Sequence, residues 1–269
     1  MKQNSDNNIH LNYEFAANDG KPVLVFLHGF MGDLNEFSDI ANDLKSQYSI
    51  LLIDMPGHGK TRITGSEEFY SVPNAAESIV SLLNKLGIDK CVLIGYSMGG
   101  RHALYTALNY PEYFEKIVLE SSSPGLKTEK ERRLRIENDA ELINKLRDQK
   151  YSDFLVNWYN QPLFRSLKAN KTFDLLIKSR LNNDPSGLIK SLEYAGTGAQ
   201  PAQWDNWTKN KIPTLLICGE KDVKFKKIAD DMVRMNNYAE KIIVRTAGHN
   251  VHAEKEEEYK KILKNYIMK

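Results

Sequence analysis

Short apolar runs recur along this chain with amphipathic stretches between them, and that alternation restricts the fold more than any other feature. The runs lie at residues 23–27, 50–53, 91–94, 117–119, 214–218 and 242–244, each flanked by glycine or polar turn residues. A strand covered on both faces has no wet side, so continuous apolar runs of this length predict a buried parallel sheet. Between them, residues 37–45, 75–86, 98–108, 228–235 and 256–267 carry apolar side chains at helical spacing. Strand and helix in alternation give an α/β class, a mostly parallel sheet with helices on both faces. Ahead of the first run, residues 9–15 followed by Asn18, Asp19 and Gly20 predict an antiparallel strand and a turn.

The rhythm stops between Gly125 and Trp207, where a charged helical pattern continues without a convincing strand. The expected organisation is therefore one α/β core, residues 1–124 and 208–269, with a helical lid inserted at 125–207. Placed after the C-terminal end of a strand, that insertion covers the crevice where open α/β sheets bind ligands. A length of 269 residues suits one core with one insertion.

Charge narrows the partners. Lys and Arg number 37 against 35 Asp and Glu, too balanced for a general polyanion-binding surface, so nucleic acid is not an expected partner. The first residues, Met1 to Asn8, contain no apolar leader core, and no later stretch reaches the roughly 18 apolar residues a membrane span needs. Cys91 and Cys218 each fall in an apolar run without metal-ligand spacing and read as reduced core thiols, which fits a cytoplasmic address. The oligomeric state stays open, a monomer being the simpler expectation.

Chemistry enters at Gly95-Tyr96-Ser97-Met98-Gly99, which follows the run 91–94 and opens a helix. In that strand–turn–helix context G-x-S-x-G marks a turn tight enough to strain the serine backbone and expose its hydroxyl. Asp222 stands four residues past the run 214–218, and His249 five past Val244. A serine hydroxyl needs an imidazole to take its proton and a carboxylate to orient that imidazole, so Ser97, His249 and Asp222 form a candidate triad. Glu220 is the competitor of Asp222, with a longer side chain closer to the strand. His28-Gly29-Phe30 follows the run 23–27, which assigns the backbone N–H groups of Phe30 and Met98 to an oxyanion hole. His28, His58 and His102 read as structural. His249 and His252 form H-x-x-H, but no third ligand has suitable spacing, so neither a metal nor any other cofactor is expected. Arg101 lies one helical turn beyond Ser97, under an arginine-rich lid, and points to an anionic substrate.

Taken together, Leu27-His28-Gly29-Phe30-Met31-Gly32, Gly95-Tyr96-Ser97-Met98-Gly99-Gly100-Arg101, Cys218-Gly219-Glu220-Lys221-Asp222 and Ala247-Gly248-His249-Asn250-Val251-His252 resemble the blocks of one family. This is the 2-succinyl-6-hydroxy-2,4-cyclohexadiene-1-carboxylate synthase family of menaquinone biosynthesis, within the α/β-hydrolase superfamily. Ser123-Pro124-Gly125-Leu126, Arg135 followed by Asp139, Trp158-Tyr159-Asn160-Gln161-Pro162 and Arg180 extend the similarity through the lid, while Ser121-Ser122-Ser123 departs from a more glycine-rich stretch. The resemblance implies an α/β-hydrolase fold and elimination of pyruvate from 2-succinyl-5-enolpyruvyl-6-hydroxy-3-cyclohexene-1-carboxylate, a small tricarboxylate. It further implies that Arg101, Arg135 and Arg180 bind substrate carboxylates, with Tyr96 and Trp158 lining the pocket. Arg132 and Arg133 are alternatives to Arg135. A carboxylesterase or C–C bond hydrolase would use the same triad, and a non-catalytic binding member of the fold is a further rival that an intact triad argues against.

Overall fold

The computed structural model describes residues 8–269; residues 1–7, where the expected core segment begins and the leader-less start was read, lie outside the described residues. The strands are β1 (Ile9–His10), β2 (Tyr13–Ala16), β3 (Val23–Leu27), β4 (Ser49–Ile53), β5 (Arg62–Ile63), β6 (Cys91–Tyr96), β7 (Phe114–Glu120), β8 (Thr214–Gly219) and β9 (Ala239–Val244). Seven of them form one sheet in the order β2-β4-β3-β6-β7-β8-β9. Only β2 runs antiparallel to its neighbour, β4; every other pairing in this sheet is parallel. The single strand expected over 9–15 is two: β1 leaves the main sheet to pair with β5, and β2 forms its edge.

Successive strand side chains point to opposite faces, and the core divides accordingly. Val25, Leu27, Leu93, Leu119 and Leu216 pack on one side with α2 (Val72–Lys85), α3 (Met98–Asn109) and α10 (Val223–Met235). Leu24, Phe26, Ile94, Val118 and Ile217 pack on the other with α1 (Ser38–Leu44) and α12 (Glu256–Met268). Because both faces are covered, the strands have no polar alternation, which is why they read as continuous apolar runs.

Between β7 and β8 the chain forms α4 (Glu129–Asp148), α5 (Tyr151–Tyr159), α6 (Arg165–Lys168), α7 (Phe173–Arg180), α8 (Pro185–Ala195) and α9 (Trp204–Lys209). Helix α4 starts in a capping box, Thr128 with Glu131, which satisfies two otherwise orphaned N–H groups. The insert has its own apolar cluster, including Phe154, Tyr159, Phe164, Leu188 and Leu192. Its last helix belongs to the main core instead: Trp204 and Trp207 are buried there, and their indole N–H groups donate to Gly125 O at 2.9 Å and Met232 O at 3.0 Å. After β8 come α10 (Val223–Met235), β9, α11 (Val251–Glu254) and α12.

Candidate active site

The turn from β6 into α3 holds Ser97 at φ 50° and ψ −107°, a left-handed conformation that costs a non-glycine residue about 1–3 kcal/mol. Glycine on either side makes the turn sterically feasible. A Cβ at Gly99 would lie 2.1 Å from Leu27 O, and one at Gly95 would lie 2.5 Å from Gly99 O. Ser97 N donates to Glu120 O at 2.9 Å, and the Ser122 hydroxyl donates to Ser97 O at 3.2 Å, so β7 and the serine stretch after it brace the turn.

His249, in the loop between β9 and α11, places Nε2 3.0 Å from Ser97 Oγ and Nδ1 2.7 Å from Asp222 Oδ2. Asp222 is buried and caps α10 by accepting from Phe225 N at 3.2 Å, which fixes its carboxylate in place. Its competitor Glu220 turns away and accepts from Thr246 N at 2.8 Å, tying the two catalytic loops together at the surface. The geometry is that of a hydroxyl activated by a carboxylate-oriented imidazole.

Phe30 and Met98 line the same cavity as Ser97, and neither backbone N–H has a hydrogen-bond acceptor among the described residues. Gly29 N–H, one position earlier, donates to Glu36 Oε2 at 2.8 Å, while Gly32 N–H closes the turn on Gly29 O at 2.9 Å. Behind this loop His28 Nε2 accepts from Met55 N at 2.9 Å, and burial lowers its pKa. His58 is lowered further by burial, then by His28, and burial brings His102 down to about 3. All three are neutral structural imidazoles at ordinary pH.

A cavity of about 680 Å³ opens over Ser97, between the sheet and the insert. Its wall includes Phe30, Met98, Arg101, Arg135, Trp158, Phe164, Leu192, Lys224, Phe225 and His249. The volume and mixed lining suit a small polar molecule. Arg101 donates to Ala195 O at 2.9 Å and to Gln200 Oε1, both uncharged acceptors; burial first, and Arg135 second, pull its pKa to about 10. It remains a half-buried cation at neutral pH. Arg135 reaches the same cavity but is paired with Asp139 at 2.8 Å; Arg132 instead donates to Gly198 O at 3.2 Å, and Arg133 pairs outward with Glu129 at 3.2 Å.

Arg180 and Tyr96 line a chamber of about 30 Å³ that adjoins the large cavity and shares Ser97, His249, Phe30, Trp158 and Phe164 with it. Arg180 is ion-paired there with Glu36, both side chains nearly inaccessible, and lies 3.4 Å from the Tyr159 hydroxyl. Burial alone would raise the Glu36 carboxyl, but Arg180, followed by His252 and His28, holds it below its usual value. The expected role of Arg180 as a free carboxylate binder thus meets a competing partner already in place.

His252, the second histidine of H-x-x-H, donates to Glu120 instead: Nδ1 is 2.8 Å from Oε2, its backbone N is 3.1 Å from Oε1, and Nε2 is 3.9 Å from Glu36. Burial opposes its protonation, yet Glu120 and then Glu36 raise its pKa overall. Glu36 and Glu120 were missed from the sequence, although an acidic residue ending an apolar strand was a signal for Glu120. Lys224, two residues past Asp222, was missed as well. Among the described residues the one carboxylate cluster with metal-like spacing, Asp43, Glu256 and Glu257, converges on Lys260. Neither cysteine lines the cavity, although Cys218 Sγ lies 3.5 Å from Phe225 O, and burial pushes both thiols up to about 12.

The sheet order, the strained serine turn and the triad define a class, and the chain is a member of the α/β-hydrolase fold family, whose model matches residues 22–256. Esterases share this frame at low identity: one from Thermogutta terrifontis superposes with a TM-score of 0.84 at 22% identity, covering 97% of this chain and 93% of its own, which speaks to the fold alone. A Citrobacter koseri 2-succinyl-6-hydroxy-2,4-cyclohexadiene-1-carboxylate synthase is 34% identical over 87% of this chain and 89% of its own. A Bacillus subtilis protein bearing that name provisionally is 36% identical over 91% of this chain and 90% of its own. The structure of MenH from S. aureus superposes with a TM-score of 0.90 at 30% identity, over 96% of this chain and 98% of that one. Within the α/β hydrolases, the chain belongs to the 2-succinyl-6-hydroxy-2,4-cyclohexadiene-1-carboxylate synthase family.

Proposed function

We propose that this chain catalyses the synthase reaction of its family in menaquinone biosynthesis: a lyase step that eliminates pyruvate from 2-succinyl-5-enolpyruvyl-6-hydroxy-3-cyclohexene-1-carboxylate. The observation that carries the reading is a complete triad beneath a cavity lined by a half-buried cation, Arg101, that has no carboxylate partner among the described residues. An esterase of neutral acyl groups has no use for that charge, whereas an anionic substrate compensates it.

In this reading His249 takes the Ser97 proton, and Ser97 Oγ removes the proton from the ring carbon beside the succinyl ketone. Phe30 N–H and Met98 N–H stabilise the enolate oxygen that results. The electron pair passes through the ring double bond and expels the C–O bond to the enolpyruvyl group. The leaving group takes up a proton to become pyruvate, and the ring gains its second double bond. No water is consumed. Asp222 keeps His249 oriented and stabilises it while it carries the proton. The hydrolase parts serve here because acyl transfer and enolisation both develop negative charge on a carbonyl oxygen.

Trp158 and Phe30, whose rings lie 5.3 Å apart, supply an apolar wall for the ring, and Arg101 and Arg135 hold carboxylates. No described helix is long and apolar enough to cross a membrane, and two unpaired buried thiols support a reducing, cytoplasmic setting. The test is pyruvate release from the enolpyruvyl substrate, followed by a coupled dehydrogenase. Ester hydrolysis without pyruvate release would transfer the assignment to a carboxylesterase or C–C bond hydrolase.

A further inference from the structure

Beneath the active site lies a buried polar cluster that the mechanism above does not use. Glu120, fully buried at the end of β7, reaches two catalytic segments at once. Its carbonyl oxygen accepts from Ser97 N at 2.9 Å, in the strained turn, while its carboxylate accepts from His252 N at 3.1 Å and from His252 Nδ1 at 2.8 Å, in the helix that follows His249. On the other side of the imidazole, Nε2 stands 3.9 Å from one Glu36 oxygen. The second Glu36 oxygen accepts from Gly29 N–H at 2.8 Å, next to Phe30.

The Tyr96 ring fills the space between these segments. Its centre lies 4.8 Å from His252 and 5.5 Å from His249, and a Cβ at Gly29 would come within 2.5 Å of it. Phe37 at 4.5 Å and Tyr259 at 5.8 Å complete the cage around His252, with Arg180 beyond, bound to Glu36. Neither Glu120 nor His252 lines the large cavity or the small chamber, so neither meets the substrate. A buried acid–base pair gains little net stability over apolar packing of the same volume, but its hydrogen bonds are directional and hold what they join in one geometry. Here they join all three parts of the catalytic apparatus.

We infer that His252, held by Glu120, is a positioning residue that locks the catalytic-histidine loop to the serine turn and, through Glu36, to the oxyanion loop. It acts through His249 and Phe30 N–H and touches no reacting atom. This rests on the triad and oxyanion-hole roles assigned above. A misplacement of about 1 Å in such groups costs on the order of a hundredfold in rate, so a loose clamp is felt in turnover before it is felt in binding.

The experiment measures pyruvate release by His252→Ala, His252→Asn and His252→Gln, each first shown to be folded by circular dichroism. His252→Ala should lower kcat roughly ten- to a hundredfold with KM within about twofold of wild type, because only the alignment of the reacting groups is lost. The asparagine amide nitrogen falls near the Nδ1 position and should recover most of that loss. The glutamine amide nitrogen falls nearer Nε2, leaves the Glu120 carboxylate without its side-chain donor, and should not. Leu263→Ala, a fully buried α12 position in the same core as Tyr259, controls for destabilisation: its Tm should fall while kcat stays. Hydrogen exchange read by mass spectrometry needs no substrate. His252→Gln should speed exchange over residues 28–36 as well as 247–254, and His252→Asn should do so much less. If His252→Ala does not fold, the asparagine and glutamine variants decide. Equal kcat in those two, or unchanged exchange over 28–36 in His252→Gln, overturns the inference. A wild-type protein that releases no pyruvate, while exchange in both segments still depends on His252, would sink the synthase reading and leave the clamp standing.

Discussion

Replacing Glu36 by glutamine removes one charge while preserving shape and an oxygen that accepts from Gly29 N–H. The partner Arg180 then remains buried, its side chain only 5% exposed, with the Tyr159 hydroxyl at 3.4 Å as its nearest polar support. Removing one member of a buried ion pair costs about 3–5 kcal/mol because the other charge is left uncompensated. At roughly 2–4 °C per kcal/mol for a domain of this size, Glu36→Gln should lower Tm by roughly 6–20 °C. Because the wild-type carboxyl is held below its unfolded value, its contribution is present above that value and is lost as pH falls through the depressed folded one. The Tm gap between wild type and variant should therefore be steady near neutrality and close only in acid, below about pH 4.5. Adding Arg180→Met should recover much of the lost stability, since an apolar side chain needs no counter-charge. Scanning calorimetry across pH measures all three effects. A shift under about 2 °C, or a double variant no better than Glu36→Gln, would refute the view that these two residues form a structural strut between α7 and the loop of Gly29 and Phe30.

Ser97→Ala and His249→Ala should each remove most pyruvate release and, acting in one relay, should combine to little more than either alone; a double variant far slower than both singles would argue against a shared relay. Arg101→Ala should lower kcat/KM by roughly ten- to a hundredfold, and Arg101→Lys should recover only part, since an ammonium lacks the planar fork; equal rates for both variants would show that charge alone matters there. His252 has a raised pKa, so the stability it contributes is fully present below about pH 6.5 and declines as pH rises through its folded value. The Tm difference between wild type and His252→Gln should accordingly narrow on going alkaline, and a difference that widens instead would mean that the neutral imidazole is the stabilising form.

The sheet was legible because burial on both faces writes itself into sequence as uninterrupted apolar runs, and 91–94 lies wholly within β6. Elements without such a signature were not. Two-residue β5 carries no period, so nothing at Arg62–Ile63 announced that β1 would leave the main sheet. Helix α2 begins at Val72, earlier than its apolar spacing suggested, because Pro73 stands at a helix N-terminus rather than before one.

The site divides along the same physical line. Ser97, Asp222 and His249 are each fixed by a local event, a strand ending in a turn, and local events leave local patterns in the chain. Ion pairing leaves none: Glu36 meets Arg180 across 144 positions of sequence, and no spacing rule connects them. The arginines found in the sequence are indeed gathered near the site, but proximity says nothing of which charge is already neutralised. Arg135 has Asp139 within one helical turn, a pair the sequence does display, whereas Arg101 has only uncharged acceptors. Affinity for an anion depends on the charge left free by the fold, which the sequence does not display. In this cavity that criterion singles out Arg101, whose guanidinium meets no carboxylate among the described residues.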